Sequence, residues 1–157
     1  MRQVTIEARV PGATAEAVFD RLSDFARYPE FTDAFRAVTV QPAPDGGLDS
    51  TWEVNFRNGV LIWSEHDVVD RAGLSITFVQ TAGDFERFDG GWRVAQAGDD
   101  VAVRFDASFD LGMPGLAPII DPIAERALVD NIKRILVGLT GPGTTFPALT
   151  EASRPGT

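Results

Sequence analysis

Between residues 51 and 110 the chain alternates apolar and polar residues almost without a break, and after Gly115 it passes into one long stretch with helical spacing. That order predicts a curved antiparallel sheet wrapped around a single helix, an α+β arrangement that tends to enclose a cavity as well as a solid core. With 157 residues, 44% hydrophobic and 24% charged, the chain suits one globular domain. A domain of that size buries close to 70% of its unfolded surface and needs no covalent staples. The absence of cysteine rules out disulfides, thiolate metal sites and cysteine nucleophiles together.

Strand and helix signals follow one another along the chain. Residues 3 to 10 alternate with Val4, Ile6, Ala8 and Val10 on one face, the period of a half-buried strand, and Pro11-Gly12 ends it. Thr14 is placed to cap a helix over residues 15 to 24, whose apolar stripe is Val18, Phe19 and Leu22. A second short helix, around Asp24 to Tyr28, is expected to stop before Pro29, since the residue preceding proline is pushed out of the helical region. Strands are predicted at 37–40, 50–57, 60–69, 74–80, 86–95 and 101–110. Asn58-Gly59 supplies the positive φ values of a tight hairpin. Gly90-Gly91 inside the sixth strand suggests a bulge or sharp bend.

Residues 116 to 139 carry apolar side chains at Leu116, Ile120, Ile123, Ala127, Leu128, Ile132, Ile135, Leu136 and Leu139, the helical period. Pro118 and Pro122 fall in the opening turns and predict an irregular start. Gly141-Pro142-Gly143 stops the helix, so the expected domain is 1–141, with 142–157 a flexible tail too poor in apolar residues to order itself.

Charge narrows the partners. Twenty-three acidic against 14 basic residues, a net charge of −9, would repel nucleic-acid backbones and anionic membrane surfaces. The sequence contains neither a basic leader with an apolar core nor an apolar run of about 18 residues, so no membrane span and a cytoplasmic location are expected. There is no phosphate-cradling loop and no dinucleotide fingerprint, and a lone histidine without cysteine makes a poor zinc site. Neither a metal nor a cofactor is expected.

The order strand, two short helices, six strands and long C-terminal helix resembles the START-like helix-grip (SRPBCC) superfamily. Ala17-Val-Phe-Asp-Arg-Leu-Ser-Asp-Phe-Ala-Arg-Tyr-Pro-Glu-Phe31 is similar to its opening helices. Gly83-Asp-Phe-Glu-Arg-Phe-Asp-Gly-Gly-Trp-Arg-Val94 resembles the hairpin of the polyketide cyclase and coenzyme Q-binding branches. Phe105-Asp-Ala-Ser-Phe-Asp-Leu111, leading to the long helix, completes a likeness over roughly residues 3 to 140. The resemblance implies a helix-grip fold of about seven strands and, within the group, an aromatase/cyclase. Such a protein holds a poly-β-ketone, free or bound to an acyl carrier protein, and directs aldol closure and dehydration without a cofactor. The alternatives are a non-catalytic carrier of an apolar ligand such as a quinone, lipid or natural product, and a self-resistance protein that binds a toxic metabolite. Either a monomer or a homodimer is compatible with the sequence.

Aldol closure needs a base near an activated methylene, a donor to the oxyanion and a surface that fixes which carbons meet. Val60-Leu-Ile-Trp-Ser-Glu-His-Asp-Val68 carries the candidates: Trp63, Glu65 and Asp67 share one face, and Ser64 and His66 the other. If the first face looks inward, Glu65 and Asp67 form a carboxyl pair about 7 Å apart at the Cα level. If the second does, His66 is the base. Alternation alone leaves the choice open. Aromatase/cyclases of this type often have an arginine in this strand, where a match on the tryptophan puts Asp67, so arginine assistance is not expected; Arg57, Arg87 and Arg93 are read as solvated. Candidate ligand contacts are Trp52, Phe56, Trp63, Phe78, Phe88 and Trp92 on strands, Tyr28 where the short helices meet the cavity, and Asn131 beside the stripe of the long helix.

Overall fold

A computed structural model describes residues 2–56, 59–112 and 117–147, without the side chains of Phe56 and residues 117–121. Seven strands form one antiparallel sheet: β1 (Arg2–Val10), β2 (Phe35–Pro42), β3 (Leu48–Phe56), β4 (Gly59–Asp70), β5 (Ser75–Gly83), β6 (Arg87–Ala97) and β7 (Asp100–Asp110). Their spatial order is β1-β7-β6-β5-β4-β3-β2, so every chain neighbour after β2 is a hairpin partner and only β1 joins the far edge. The helices α1 (Ala15–Ser23), α2 (Tyr28–Phe31) and α3 (Ala117–Thr140) follow the expected order, and α3 packs against β1, β3, α1 and α2. This is the helix-grip arrangement.

The period-2 faces are buried as expected. Val4, Ile6, Ala8 and Val10 of β1 and Val101, Val103, Phe105, Ala107 and Phe109 of β7 all lie in the core. Thr14 caps α1, its Oγ1 accepting from the Ala17 N–H at 3.3 Å. Gln96 of β6 also holds that helix, its Oε1 accepting from Ala15 N–H at 2.8 Å while its Nε2 donates to the Ala13 carbonyl. From α3, Ala124, Leu128, Ile132, Ile135, Leu136 and Leu139 enter the core, whereas Ile123 is 46% exposed.

Three expectations are corrected. Helical structure does not stop before Pro29: a 3-10 turn, Phe25–Arg27, leads into α2 with Pro29 in its first turn. Proline is tolerated there because a first-turn N–H has no intrahelical partner to lose. Gly90-Gly91 makes no bulge, since β6 pairs with β5 and β7 in unbroken register through both residues. The pair permits close backbone approach instead: a Cβ on Gly90 would stand 2.0 Å from the Asp106 carbonyl oxygen, and one on Gly91 2.7 Å from that of Ile76. Finally, the chain past Gly141 does not leave the domain at once. Thr145 pairs with Arg9 on the free edge of β1 through two backbone bonds of 2.8 and 2.9 Å, and Thr144 is buried. Phe146 packs against the core, with the Lys133 ammonium 5.3 Å from its ring centroid. Residues 148–157 lie outside the described residues, as do Arg57 and Asn58 of the expected turn and Leu116.

Candidate active site in the cavity under the long helix

Strand β4 shows which of its faces looks inward. Trp63, Glu65 and Asp67 are buried between the sheet and the helices; Ser64 and His66 point the other way. The β4/β5 register shifts between Ser64 and Glu65, so an irregularity sits at the first carboxyl of the pair. Bulges of this kind commonly re-aim side chains next to sites.

The inward face lines a cavity of about 70 Å³ between β2–β7, α3 and the short helices. Ten of its eighteen lining residues are aromatic, Trp52, Trp63, Phe78, Phe88 and Trp92 among them. Trp52 and Trp63, directly opposed on β3 and β4, stand nearly parallel with ring centroids 6.2 Å apart. Phe85 stacks on Phe88 at 4.5 Å, and Trp92 leans on Phe105 at 4.6 Å. These offset and tilted pairs fix the wall as a rigid apolar surface.

Polar groups in the wall are few, and most are engaged. Trp63 Nε1–H donates to Glu65 Oε1 at 2.7 Å. Trp52 Nε1–H donates to Ser50 Oγ at 2.8 Å, and Ser50 Oγ–H donates to Asp67 Oδ2 at 2.5 Å. Each indole is therefore tied to one member of the carboxyl pair. Asp67 Oδ1 is buried without a hydrogen-bond partner among the described residues. Burial, reinforced by the neighbouring Asp67, holds the Glu65 carboxyl well above the usual carboxylate range. Burial also raises Asp67, against the opposing hydrogen bonds from Glu65 and Ser50. Both shifts favour the protonated form of these carboxyls. Of the two, Glu65 lines the cavity, and Asp67, two residues along the same face, is fully buried outside the lining.

Tyr28 and Asn131 reach the cavity with the tyrosine hydroxyl and the asparagine amide nitrogen bonded to backbone. The Tyr28 ring lines the wall, but its hydroxyl donates to the Leu22 carbonyl at 2.5 Å. Burial, then the charges of Glu65 and Asp67, keep that hydroxyl protonated. It holds the short helices and has no proton to offer a ligand. Asn131 reaches the wall from α3 with Nδ2 bonded to the Asn55 carbonyl at 3.0 Å. The Phe56 side chain is outside the described residues.

His66 is corrected: it lies on the outer face, its Nε2 2.9 Å from Asp45 Oδ2 and its Nδ1 3.0 Å from Asp49 Oδ1. Those carboxylates, Asp49 first, raise its pKa, and a base role in the cavity is closed to it. His66→Gln is accordingly expected to leave ligand affinity in the cavity within about twofold of the parent, in the ordinary range for a surface change; a loss beyond tenfold in a Trp-fluorescence titration would contradict this placement.

Sequence reasoning missed Ser50, Phe25, Phe35 and Phe85. Ser50 carries no sequence signal of its own, since only the β3/β4 register places it opposite Glu65. Among the described residues, no group of three or more His, Cys, Asp or Glu side chains is placed to hold a metal ion.

The family model described as "Polyketide cyclase / dehydrase and lipid transport" matches residues 11–136. The chain belongs to this family. Its fold matches the protein TTHA0849 from Thermus thermophilus at a TM-score of 0.81 and 21% identity, covering 88% of this chain and 94% of that one. The Zhui aromatase/cyclase from Streptomyces sp. R1128 aligns at 0.72 and 17%, covering 86% and 91%. A START superfamily protein from Mycobacterium smegmatis aligns at 0.75 and 18%, covering 88% and 96%. At these identities the likeness establishes the START-like fold, and the family description spans both cyclases and lipid transport. No curated protein matches the chain. No described helix is long and apolar enough to cross a membrane.

Proposed function

We propose that this member of the polyketide cyclase/dehydrase family is a cofactor-independent cyclase that binds a poly-β-ketone chain in the aromatic cavity and uses Glu65, backed by Asp67, as its acid/base group. The observation that carries the reading is a buried carboxyl pair, Glu65 in the lining and Asp67 two residues along the same face, at a wall that is otherwise apolar or aromatic except for Asn131. A wall built only to shelter an apolar ligand would lose stability from such a pair without using it.

The proton inventory closes with one cavity-facing group. In this reading Glu65 acts as the carboxylate, its proton passed to Asp67 Oδ1, which is buried with no hydrogen-bond partner among the described residues. Glu65 then takes a proton from a methylene flanked by two carbonyls, leaving an enolate. The enolate carbon attacks a carbonyl carbon of the same chain, so that a C–C bond forms and the carbonyl oxygen becomes an alkoxide. Glu65, now protonated, returns its proton to that oxygen. Subsequent dehydration repeats the exchange, the carboxylate taking the α-proton and the carboxylic acid protonating the departing hydroxyl, which leaves as water. The indoles of Trp52 and Trp63 supply the flat surface that selects among chain conformers.

The test is product analysis by mass spectrometry after incubating the purified protein with a minimal polyketide synthase that alone gives spontaneously cyclised products. A new ring pattern at substoichiometric protein supports the cyclase. An unchanged profile across several chain lengths overturns it in favour of ligand carriage, the other activity that the apolar wall suits.

A further inference from the structure

We infer that this cavity sorts ligands by charge, accepting a neutral or cationic polar end against Glu65 and rejecting a carboxylate or phosphate there. The inference deepens the proposed function, because it concerns what that same cavity will hold. It stands on the composition of the wall. Among the described residues the lining includes no lysine, arginine or histidine, and its one acidic side chain is Glu65, with Asp67 buried two residues along the same face of β4. The described arginines with ion-pair partners, Arg2, Arg27, Arg71, Arg87, Arg104 and Arg134, all make those pairs on the outer surface.

An anionic end group entering this cavity would leave water for an apolar surround, meet the charge of the carboxyl pair, and find no cation among the described lining residues to offset either cost. A carbonyl or hydroxyl end instead meets the carboxylic acid as donor or acceptor. An ammonium end meets the pair's negative charge with aromatic faces around it, a favourable setting for a cation. In the proposed reaction, a substrate with a free acid is therefore bound with that end outside the mouth. The class of reaction that supplies a fully enclosed substrate is one that leaves its carboxyl masked as an ester or thioester, or that removes it.

Three naphthalene probes that differ only in the end group, 2-naphthylmethylammonium, 2-naphthylmethanol and 2-naphthoate, test this by quenching of Trp52, Trp63 and Trp92, all of which line the cavity. The alcohol and the ammonium are expected to bind, with the carboxylate at least tenfold weaker than the alcohol. In the double variant E65Q/D67N, which keeps both acceptors and removes both charges, the carboxylate should recover at least fivefold relative to the alcohol and the ammonium should weaken relative to it, with a parent-like near-ultraviolet circular dichroism of the tryptophans reporting an intact cavity. A carboxylate that binds the parent protein as tightly as the alcohol, or a ranking that the double variant preserves, overturns the inference and leaves the cyclase reading standing. Failure of all three probes to bind the parent overturns both.

Discussion

A Glu65→Gln variant is expected to lose ring closure by about 10²–10⁴-fold, the usual worth of a positioned acid/base group, and yet to melt at a higher temperature than the parent at neutral pH. The two effects share a cause. Burial raises the pKa of Glu65, and with it that of Asp67, above the values the same carboxyls have in the unfolded chain. Between those two pKa values the folded protein binds more protons than the unfolded one, so stability falls as pH rises. The contribution is fully present below the unfolded value near pH 4–4.5 and is lost as pH climbs through the folded one, at about 1.4 kcal/mol for each unit of separation. Glutamine cannot ionise, while its amide oxygen still accepts from Trp63 Nε1. The wall is kept and the penalty goes. With about 2–4 °C per kcal/mol for a domain of this length, the gain should be several degrees at pH 7–8 and should vanish toward pH 4. Melting curves across pH 4–9 measure it. Parallel curves for parent and variant would show that Glu65 titrates as an ordinary carboxyl, and retained turnover would remove it from the chemistry. His66 contributes a slope of the same sign from outside the cavity, because its pKa is raised too, so the comparison is best made with His66 unchanged.

Gly90→Ala should cost about 3 kcal/mol, the upper part of the range for forced overpacking, and lower the melting temperature by roughly 6–12 °C. The obstruction is backbone: the added Cβ would lie 2.0 Å from the Asp106 carbonyl oxygen and 2.8 Å from Ala107 Cα, and neither can rotate away as a side-chain tip can. Relief requires β6 and β7 to slide or separate just where Gly90 pairs with Ala107. Phe88 and Trp92, two residues to either side on β6, line the cavity, so ligand affinity should fall along with stability. Gly98→Ala is the useful contrast, because nothing lies within 4 Å of its Cβ and the penalty comes only from a positive φ of 65°. A Gly90→Ala protein melting within about 2 °C of the parent would mean that the sheet is free to relax here, against the close packing expected of a folded interior.

How far the site could be read in advance follows from what each residue's neighbours are. On β1 and β7 one face is apolar from Val4 to Val10 and from Val101 to Phe109, and the other is polar except for Ala102, so period 2 alone names the buried residues, and the structure buries them. On β4 both faces mix apolar and polar groups: Leu61, Trp63, Glu65, Asp67 and Val69 against Ile62, Ser64, His66 and Val68. Two carboxyls on one side and one imidazole on the other leave local hydrophobicity no means of choosing. The choice rests on the β3/β4 register, which opposes Trp52 to Trp63 and Ser50 to Glu65 and so lets the indoles stack inward. The same holds at Gly90-Gly91, where the glycine pair signals a backbone requirement but not its kind. Whether a bulge or a close approach answers it depends on strands that pass beside it.

By itself the sequence determined the number, order and type of elements, the START-like resemblance and the two candidate faces of β4. All of these depend on the period of side chains along one strand or helix and on turn residues a few positions apart. Only the tertiary structure decided that Glu65 and Asp67 are buried together, that Tyr28 and Asn131 have hydrogen bonds to backbone carbonyls, and that His66 faces outward. Those outcomes are set by desolvation and by partners 6 to 76 residues away in the chain, such as Leu22 for Tyr28, Asp49 for His66 and Asn55 for Asn131, which meet only when the sheet closes around α3.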